Sequence, residues 1–221
     1  MGYISPDMNI VTGVGVLDKA MTIVHSIAER PQALTQLQES TGFPRATVHR
    51  LATALESHGL LRRDAEGRFE LGHGLVALGH AAQTRFPLVE LARPILSQLR
   101  DRTGESVQFF VQEGTQRRCV LSLETPHGLR WIVPEGSVFP LDAGSAGRVL
   151  SGGAIDGWVE SIGEREPGVA SVSAPVAGSG ETIIAAVSVS GPIERLSQQP
   201  GERFGDAVIA AAAELSRALV T

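Results

Sequence analysis

Between Thr35 and Leu71 two short helical periods and a tight hairpin pattern follow one another with almost no spare residues, and that spacing admits few folds. The first period opens at Thr35-Gln36-Leu37-Gln38, a capping-box pattern in which the threonine oxygen caps one end and Gln38 reaches back. Gly42 follows within two turns and suits a left-handed helix terminus. Pro44 then stands where a first-turn proline is tolerated, and Val48, Leu51, Ala52 and Leu55 recur at helical spacing until Gly59. Upstream, Leu17, Ala20, Met21, Val24, Ile27 and Ala28 form a longer helical stripe that Pro31 ends. Downstream, Leu60–Arg63 and Arg68–Leu71 read as short strands around the turn-rich Asp64-Ala65-Glu66-Gly67. Helix, short helix, tight turn, helix and hairpin in this order make a winged helix-turn-helix, spanning residues 13–73.

The remainder reads as a linker helix and a second domain. Residues 74–87, from Gly74-Leu75-Val76-Ala77-Leu78 onward, keep helical spacing. In 88–221, Leu88, Leu91, Ala92, Ile95, Leu96 and Leu99 make an amphipathic helix. Strands are expected at Val107–Gln112, Arg118–Glu124 and Leu129–Val133. A short helix should follow Gly144-Ser145-Ala146-Gly147. Two strong strands, Val169–Val176 and Thr182–Ser190, precede a closing helix that carries Phe204, Val208, Ala212, Leu215 and Leu219. Strands and flanking helices in this order indicate an α+β sensor domain with an antiparallel sheet.

Charge tests the DNA reading and leaves it local. The chain carries −5 overall, and its first 73 residues hold nearly equal numbers of acids and bases. Between Arg45 and Arg68, however, Arg45, Arg50, Arg62, Arg63 and Arg68 stand against Glu56, Asp64 and Glu66, a modest positive surface. With Val48, Leu51 and Leu55 turned inward, Ala46, Arg50 and Thr53 face outward, with Thr47 and His49 beside them. Arg45 lies in the first turn, where a recognition helix meets base edges. An arginine fork can bond guanine O6 and N7 together, and Thr47 and His49 can bond phosphate or bases. Arg63 and Arg68 on the hairpin would reach the flanking backbone. The expected partner is double-stranded DNA.

In the second domain, Gly144-Ser145-Ala146-Gly147 would point free backbone N–H groups at an anion. Strand alternation sets Ser188 and Ser190 on one face, opposite Val187 and Val189. Ser171 alternates likewise with Ala170 and Val172. These hydroxyls and the helix end would together hold a small carboxylate, between apolar walls from Val169 and Leu141. Other functions find little support. There is no Gly-x-Ser-x-Gly elbow, His-Glu-x-x-His motif or clustered metal ligand, so neither an enzyme nor a metal or cofactor is expected. Glu164 and Glu166 would share one strand face without a partner base. The single cysteine, Cys119, makes no internal disulfide and reads as a buried strand residue. No apolar run approaches the ~18 residues of a membrane span, and residues 1–11 lack the regions of a secretory signal, so a cytoplasmic location is expected.

Gly42-Phe43-Pro44-Arg45-Ala46-Thr47-Val48-His49-Arg50-Leu51, with Gly15-Val16-Leu17-Asp18-Lys19-Ala20 before it, resembles the DNA-binding half of the IclR family of regulators. The stretch from Ser161 to Val176, with its Gly163-Glu164-Arg165-Glu166-Pro167-Gly168 core, and Ala185–Pro192 resemble that family's effector-domain signature. Together they cover roughly residues 13–220 and look most like the actinobacterial regulators, including repressors, of leucine and other amino-acid biosynthesis. The resemblance implies a GAF/profilin-like effector domain and a homodimer through the N-terminal domains, often paired into a dimer of dimers. It also implies a palindromic operator and a metabolite that alters DNA affinity. Taken one by one, Ser145, Ala146, Val169, Ser171, Ser188 and Ser190 match effector-pocket positions of the family, and Ser161 falls where some members place a polar contact. Members usually carry twenty or more further residues where this chain has only Ser151–Trp158. A mobile segment missing from the sequence is the favoured reading of that difference.

Overall fold

The computed structural model describes residues 13–85, 88–154, 157–179 and 182–220. The chain divides into two units, Met1–Phe86 and Pro87–Thr221. In the first, helices α1 (Gly15–Glu29), α2 (Leu34–Thr41) and α3 (Arg45–Ser57) precede the antiparallel hairpin of β1 (Leu61–Arg63) and β2 (Phe69–Leu71), and α4 (His73–Arg85) follows. One apolar cluster joins α1–α3 and the hairpin: Ile23, Val24 and Ile27 from α1, Leu37 from α2, Val48, Leu51, Ala52 and Leu55 from α3, with Leu61 and Phe69 from the hairpin. Burying a side chain of this size contributes about 1.5–3 kcal/mol relative to leaving it exposed.

Local details differ from the sequence reading. The buried face of α1 is Ile23, Val24 and Ile27, whereas Leu17 is 51% exposed and Met21 42%. The apolar stripe of this helix is thus wider than the surface it packs against. Helix α2 starts at Leu34, and Gln36, not Gln38, reaches back: its Oε1 accepts from the Ala33 N–H at 2.8 Å. Alanine has no side-chain acceptor, so only this half of a capping box exists, and Thr35 lies inside the first turn. Gly42 ends α2 at φ +68°, and Pro44 directly precedes α3. An unforeseen tie comes from Gln32. Its backbone exchanges two hydrogen bonds with Phe69 (2.9 and 2.8 Å), adding a third edge to the wing. Its buried amide donates to Ser26 O at 2.6 Å and accepts from Ser40 Oγ at 3.0 Å.

Gly72 closes the junction after the wing. A Cβ there would stand 2.2 Å from the Gly59 carbonyl oxygen, well inside contact distance. Gly72→Ala should therefore destabilise the N-terminal unit by about 1–3 kcal/mol, since backbone on both sides must give way. Urea unfolding checks this, and a midpoint equal to wild type would show the junction to be freely deformable.

The second unit opens with α5 (Leu88–Thr103) and a six-stranded antiparallel sheet in the order β5-β4-β3-β8-β7-β6. The strands are β3 (Ser106–Glu113), β4 (Gln116–Leu123), β5 (Val138–Pro140), β6 (Val159–Ile162), β7 (Val169–Ala177) and β8 (Ile183–Pro192). Helix α6 (Ser145–Leu150) lies between β5 and β6 in sequence; α7 (Ile193–Leu196) and α8 (Pro200–Val220) end the chain. Helices α5 and α8 pack on the sheet face formed by Val107, Phe109, Val172, Val187 and Val189. Helix α6 packs on the other face, where Val149 and Leu150 meet Phe110, Cys119 and Ala186. At the β3–β4 pairing the register shifts: Phe109 pairs with Leu121 but Phe110 with Cys119. Val120 is the extra residue, and such a bulge re-aims the side chains on either side of it.

The strand expected at Leu129–Val133 is absent. Pro126 and Pro134, which cannot donate to a ladder, flank this segment, and Leu129 is exposed. Val138–Pro140 takes the place on β4 instead, continued by the Cys119 N–H donating to Ser137 O at 2.9 Å. Ser151–Trp158 is the whole of the sequence between α6 and β6. Ile155 and Asp156 within it lie outside the described residues.

Candidate nucleic-acid interface and ligand cleft

Helix α3 buries Val48, Leu51, Ala52 and Leu55, and by helical geometry its opposite face is left to solvent. On that face Arg45, Ala46, His49, Arg50 and Thr53 are exposed and Thr47 is half-buried. Neither Arg45, His49 nor Arg50 makes an ion pair or side-chain hydrogen bond with a described residue. The hairpin arginines are held differently. Arg62 pairs with Glu70 at 2.6 Å, and Arg63 with Glu56 at 3.3 Å while its guanidinium lies 4.1 Å from the Phe69 ring centroid. Arg68 is bound by Asp64 at 2.6 Å and Glu66 at 3.0 Å. Of the four arginines singled out in the sequence, Arg68 therefore has the least charge left for phosphate. Asp64 also accepts the Glu66 and Arg68 N–H groups, which sets the tip of the turn.

In the second unit, antiparallel pairing lines up polar residues on the α6 side of the sheet. Ser106, Ser190, Ser171 and Ser161 face one another across four strands, and Gln108, Ser188 and Ser173 form the neighbouring row. A cleft of about 350 Å³, counting its open mouth, lies on this surface beside α6. Ser145, Ala146, Val169, Ser171, Ser188 and Ser190 all line it. Ser161 is buried next to Ser171 but does not line the cleft, and neither does Leu141.

The hydroxyls are mostly occupied by each other. Ser145 Oγ lies 2.7 Å from both Ser171 Oγ and Ser173 Oγ, and Ser190 Oγ donates to Gln108 Oε1 at 2.8 Å. Ser188 makes no side-chain hydrogen bond with a described residue. The helix end expected to meet an anion is also taken: the Gly144 N–H donates to Glu164 Oε2 at 3.1 Å. The same carboxylate pairs with Arg148 at 3.1 Å. Glu164 and Glu166 thus belong to the turn between β6 and β7 rather than to a strand face, and Glu164 caps α6 from there.

The strongest polar features of the cleft are residues the sequence reading passed over. Arg117 is 1% exposed, with its guanidinium between the rings of Phe110 (5.5 Å) and Phe139 (5.4 Å). Its Nη1 donates to Pro140 O, while its Nε has no partner. Gln108, also 1% exposed, has its Nε2 unpartnered, because Ser190 holds the amide by its oxygen. Arg165 stacks at 4.4 Å on Phe139 and 5.4 Å on Trp131. Neither arginine makes an ion pair with a described residue. Burial, then the neighbouring Arg165 charge, pushes Arg117 down to about 10, with Asp142 opposing. Burial likewise lowers Arg165. Gly147 makes the room: a Cβ there would sit 2.5 Å from Arg117 Nη1. Beneath this cluster the Cys119 thiol is buried and pushed up to about 12, first by burial and then by Glu135, so it stays protonated and unreactive at neutral pH.

The helix-turn-helix and the cleft coincide with two family matches. Residues 16–65 match the IclR helix-turn-helix domain, and residues 80–153 and 154–217 match the bacterial transcriptional regulator IclR C-terminal domain, the two pieces meeting at the shortened connection. The transcriptional repressor IclR of Escherichia coli is 24% identical over 91% of this chain and 89% of its own length. The regulator KipR of Bacillus subtilis is 29% identical, over 60% of this chain, which spans about half (53%) of that protein. An IclR homologue from Microbacterium hydrocarbonoxydans, solved in complex with 4-hydroxybenzoate, shares the fold with a TM-score of 0.77 at 19% identity, covering 92% of this chain and 98% of its own. With both of its halves matched, the chain belongs to the IclR family of bacterial transcriptional regulators, and no enzyme is among the relatives described.

Proposed function

We propose that the protein is a cytoplasmic, effector-controlled regulator that docks α3 in the major groove of a palindromic operator. The observation that carries this reading is the outward face of α3, where Arg45 and Arg50 are exposed and make no ion pair or side-chain hydrogen bond with a described residue. In this reading Arg45 and Arg50 contact guanine edges, Thr47 and His49 bond adjacent bases or phosphate, and Arg63 and Arg68 reach the flanking backbone. Two such helices in a homodimer would read half-sites about one duplex turn, ~34–36 Å, apart. The exposed Val16, Leu17 and Met21 of α1 and Val76 and Leu78 of α4 supply apolar surface for that dimer or for a dimer of dimers. The named repressor among the relatives supports repression. Amino-acid biosynthesis genes are the targets we favour, on the resemblance of the two signature stretches.

The cleft beside α6, with Ser145, Ala146, Val169, Ser171, Ser188 and Ser190 in its lining, is the effector site of this proposal, and Ser161 supports Ser171 from β6. The 4-hydroxybenzoate held by the Microbacterium relative supports a small carboxylate as its occupant. An effector changes operator affinity only by binding one dimer geometry better than another.

Selection of duplexes from a random pool, followed by titration, tests the proposal. It should enrich an inverted repeat, and failure to enrich any sequence at low salt would overturn it. On the selected duplex, Arg63→Ala should weaken binding uniformly and reduce the salt slope by about one phosphate contact per half-site. Arg68→Ala should change the slope less, because Asp64 and Glu66 already share its charge.

A further inference from the structure

We infer that Arg117 and Gln108 read a single carboxylate on an otherwise uncharged small acid, and that the cleft rejects the amino-acid zwitterion of the same size. The inference rests on the reading of this cleft as the effector site and specifies its ligand.

Two buried donors without a partner, Arg117 Nε and Gln108 Nε2, belong to residues that line the same cleft. A buried polar group left unbonded is costly, and an unpaired buried cation more so. The arrangement is stable enough to exist because Phe110 and Phe139 flank the guanidinium, but its bonding capacity is unfilled. A carboxylate supplies what is missing: negative charge, and two oxygens that accept from both groups. Among the charged residues lining the cleft, Arg117 and Arg165 outnumber the exposed Glu166 by one, so one negative charge neutralises the site. Among the described residues no carboxylate forms an ion pair with Arg117 or Arg165: Asp142 acts on Arg117 only as a neighbouring charge, and Glu164 is committed to Gly144 and Arg148.

The same inventory argues against an amino acid. An ammonium beside the carboxylate would need acceptors near Arg117, where Gln108 Oε1 already accepts from Ser190 and Ser145, Ser171 and Ser173 bond one another, so that Ser188 and the exposed Glu166 are the acceptors left in the lining. It would also sit close to a second guanidinium, Arg165. The ligand body instead meets Phe110 and Val169, which suit an aromatic, branched or keto acid.

Thermal shift and calorimetric titration with acetate, pyruvate, benzoate and phenylacetate at millimolar concentration test this, with alanine, phenylalanine and benzamide as controls. At least one acid should bind the wild type ~10-fold or more tightly than its amino-acid or amide counterpart. Arg117→Met should weaken that binding by ~10- to 100-fold, and Gln108→Met by less. Arg117→Lys, which keeps the charge but not the planar Nε donor, should recover part of the loss. No binding by any of the acids, equal binding of benzamide and benzoate, or unchanged binding in a folded Arg117→Met protein would overturn the inference. Operator titrations separate it from the function it rests on. Acid binding that depends on Arg117 but leaves operator affinity unchanged upholds the carboxylate site and sinks its role as effector site. Operator release by one of these acids in Arg117→Met does the reverse.

Discussion

Arg45→Ala and Arg50→Ala should each leave the protein folded and reduce operator affinity severely. A bidentate arginine–guanine contact is worth about 1–3 kcal/mol of discrimination. A dimer on an inverted repeat carries each substitution twice, so the expected loss is about 2–6 kcal/mol, roughly 30-fold or more. The fold should not notice: both side chains are exposed and without a partner among the described residues, and such surface changes usually stay within about 0.5 kcal/mol. Anisotropy titrations at one fixed salt concentration, paired with urea unfolding, separate the two effects. Relaxed preference for one base pair in each half-site would accompany a lost base contact, whereas a uniform loss over all sequences would place that arginine on phosphate. Unchanged affinity in both variants would mean that another face of the domain meets DNA.

Arg117→Met should make the ligand-free protein more stable at neutral pH. Burial pushes the guanidinium down from its ordinary range to about 10, which corresponds to a penalty on the folded, charged form of roughly 3 kcal/mol at most. Because the folded-state value lies below the unfolded one, that penalty is complete below about pH 10 and fades as the pH rises beyond it toward the ordinary guanidinium range. Methionine keeps much of the volume between Phe110 and Phe139 and carries no charge, but it forfeits the stacking and the bond to Pro140 O. The net gain expected is about 1–2 kcal/mol at pH 7, shrinking as the pH rises through 10. Unfolding midpoints of the C-terminal unit at the two pH values measure it. A variant destabilised at pH 7 would show instead that the arginine is held chiefly for packing.

Placing α3 from sequence depended on local punctuation. Gly42, Pro44 and Gly59 bracket a helix whose apolar period leaves one face bare, and those signals act within a few residues. The errors arose where distant partners decide. The α1 stripe counted Leu17 and Met21 as interior, although nothing in their own periodicity says how much surface the core can cover. The strand assigned to Leu129–Val133 lost to Val138–Pro140 because Pro126 and Pro134 interrupt the ladder, a cost visible only once β4 has a neighbour. Six of the seven proposed effector residues, found through serine alternation and family resemblance, converge on one cleft. Arg117 was missed because the expected strand began one residue later, at Arg118. The bulge at Val120 then turns Arg117 and Cys119 to the face opposite Leu121 and Leu123, which plain alternation would not have done. Glu164 as a cap on α6 joins residues twenty positions apart through a tertiary hydrogen bond, beyond the reach of any local pattern.

The central claim, that the outward face of α3 reads the operator, is tested most directly by cutting DNA from that face. Cys119 is the only cysteine and is buried, so a cysteine introduced at the exposed Ala46 can be labelled selectively with an iron–EDTA reagent. On the selected duplex, strand cleavage should fall within both half-sites. Tight binding without cleavage from Ala46 would contradict it.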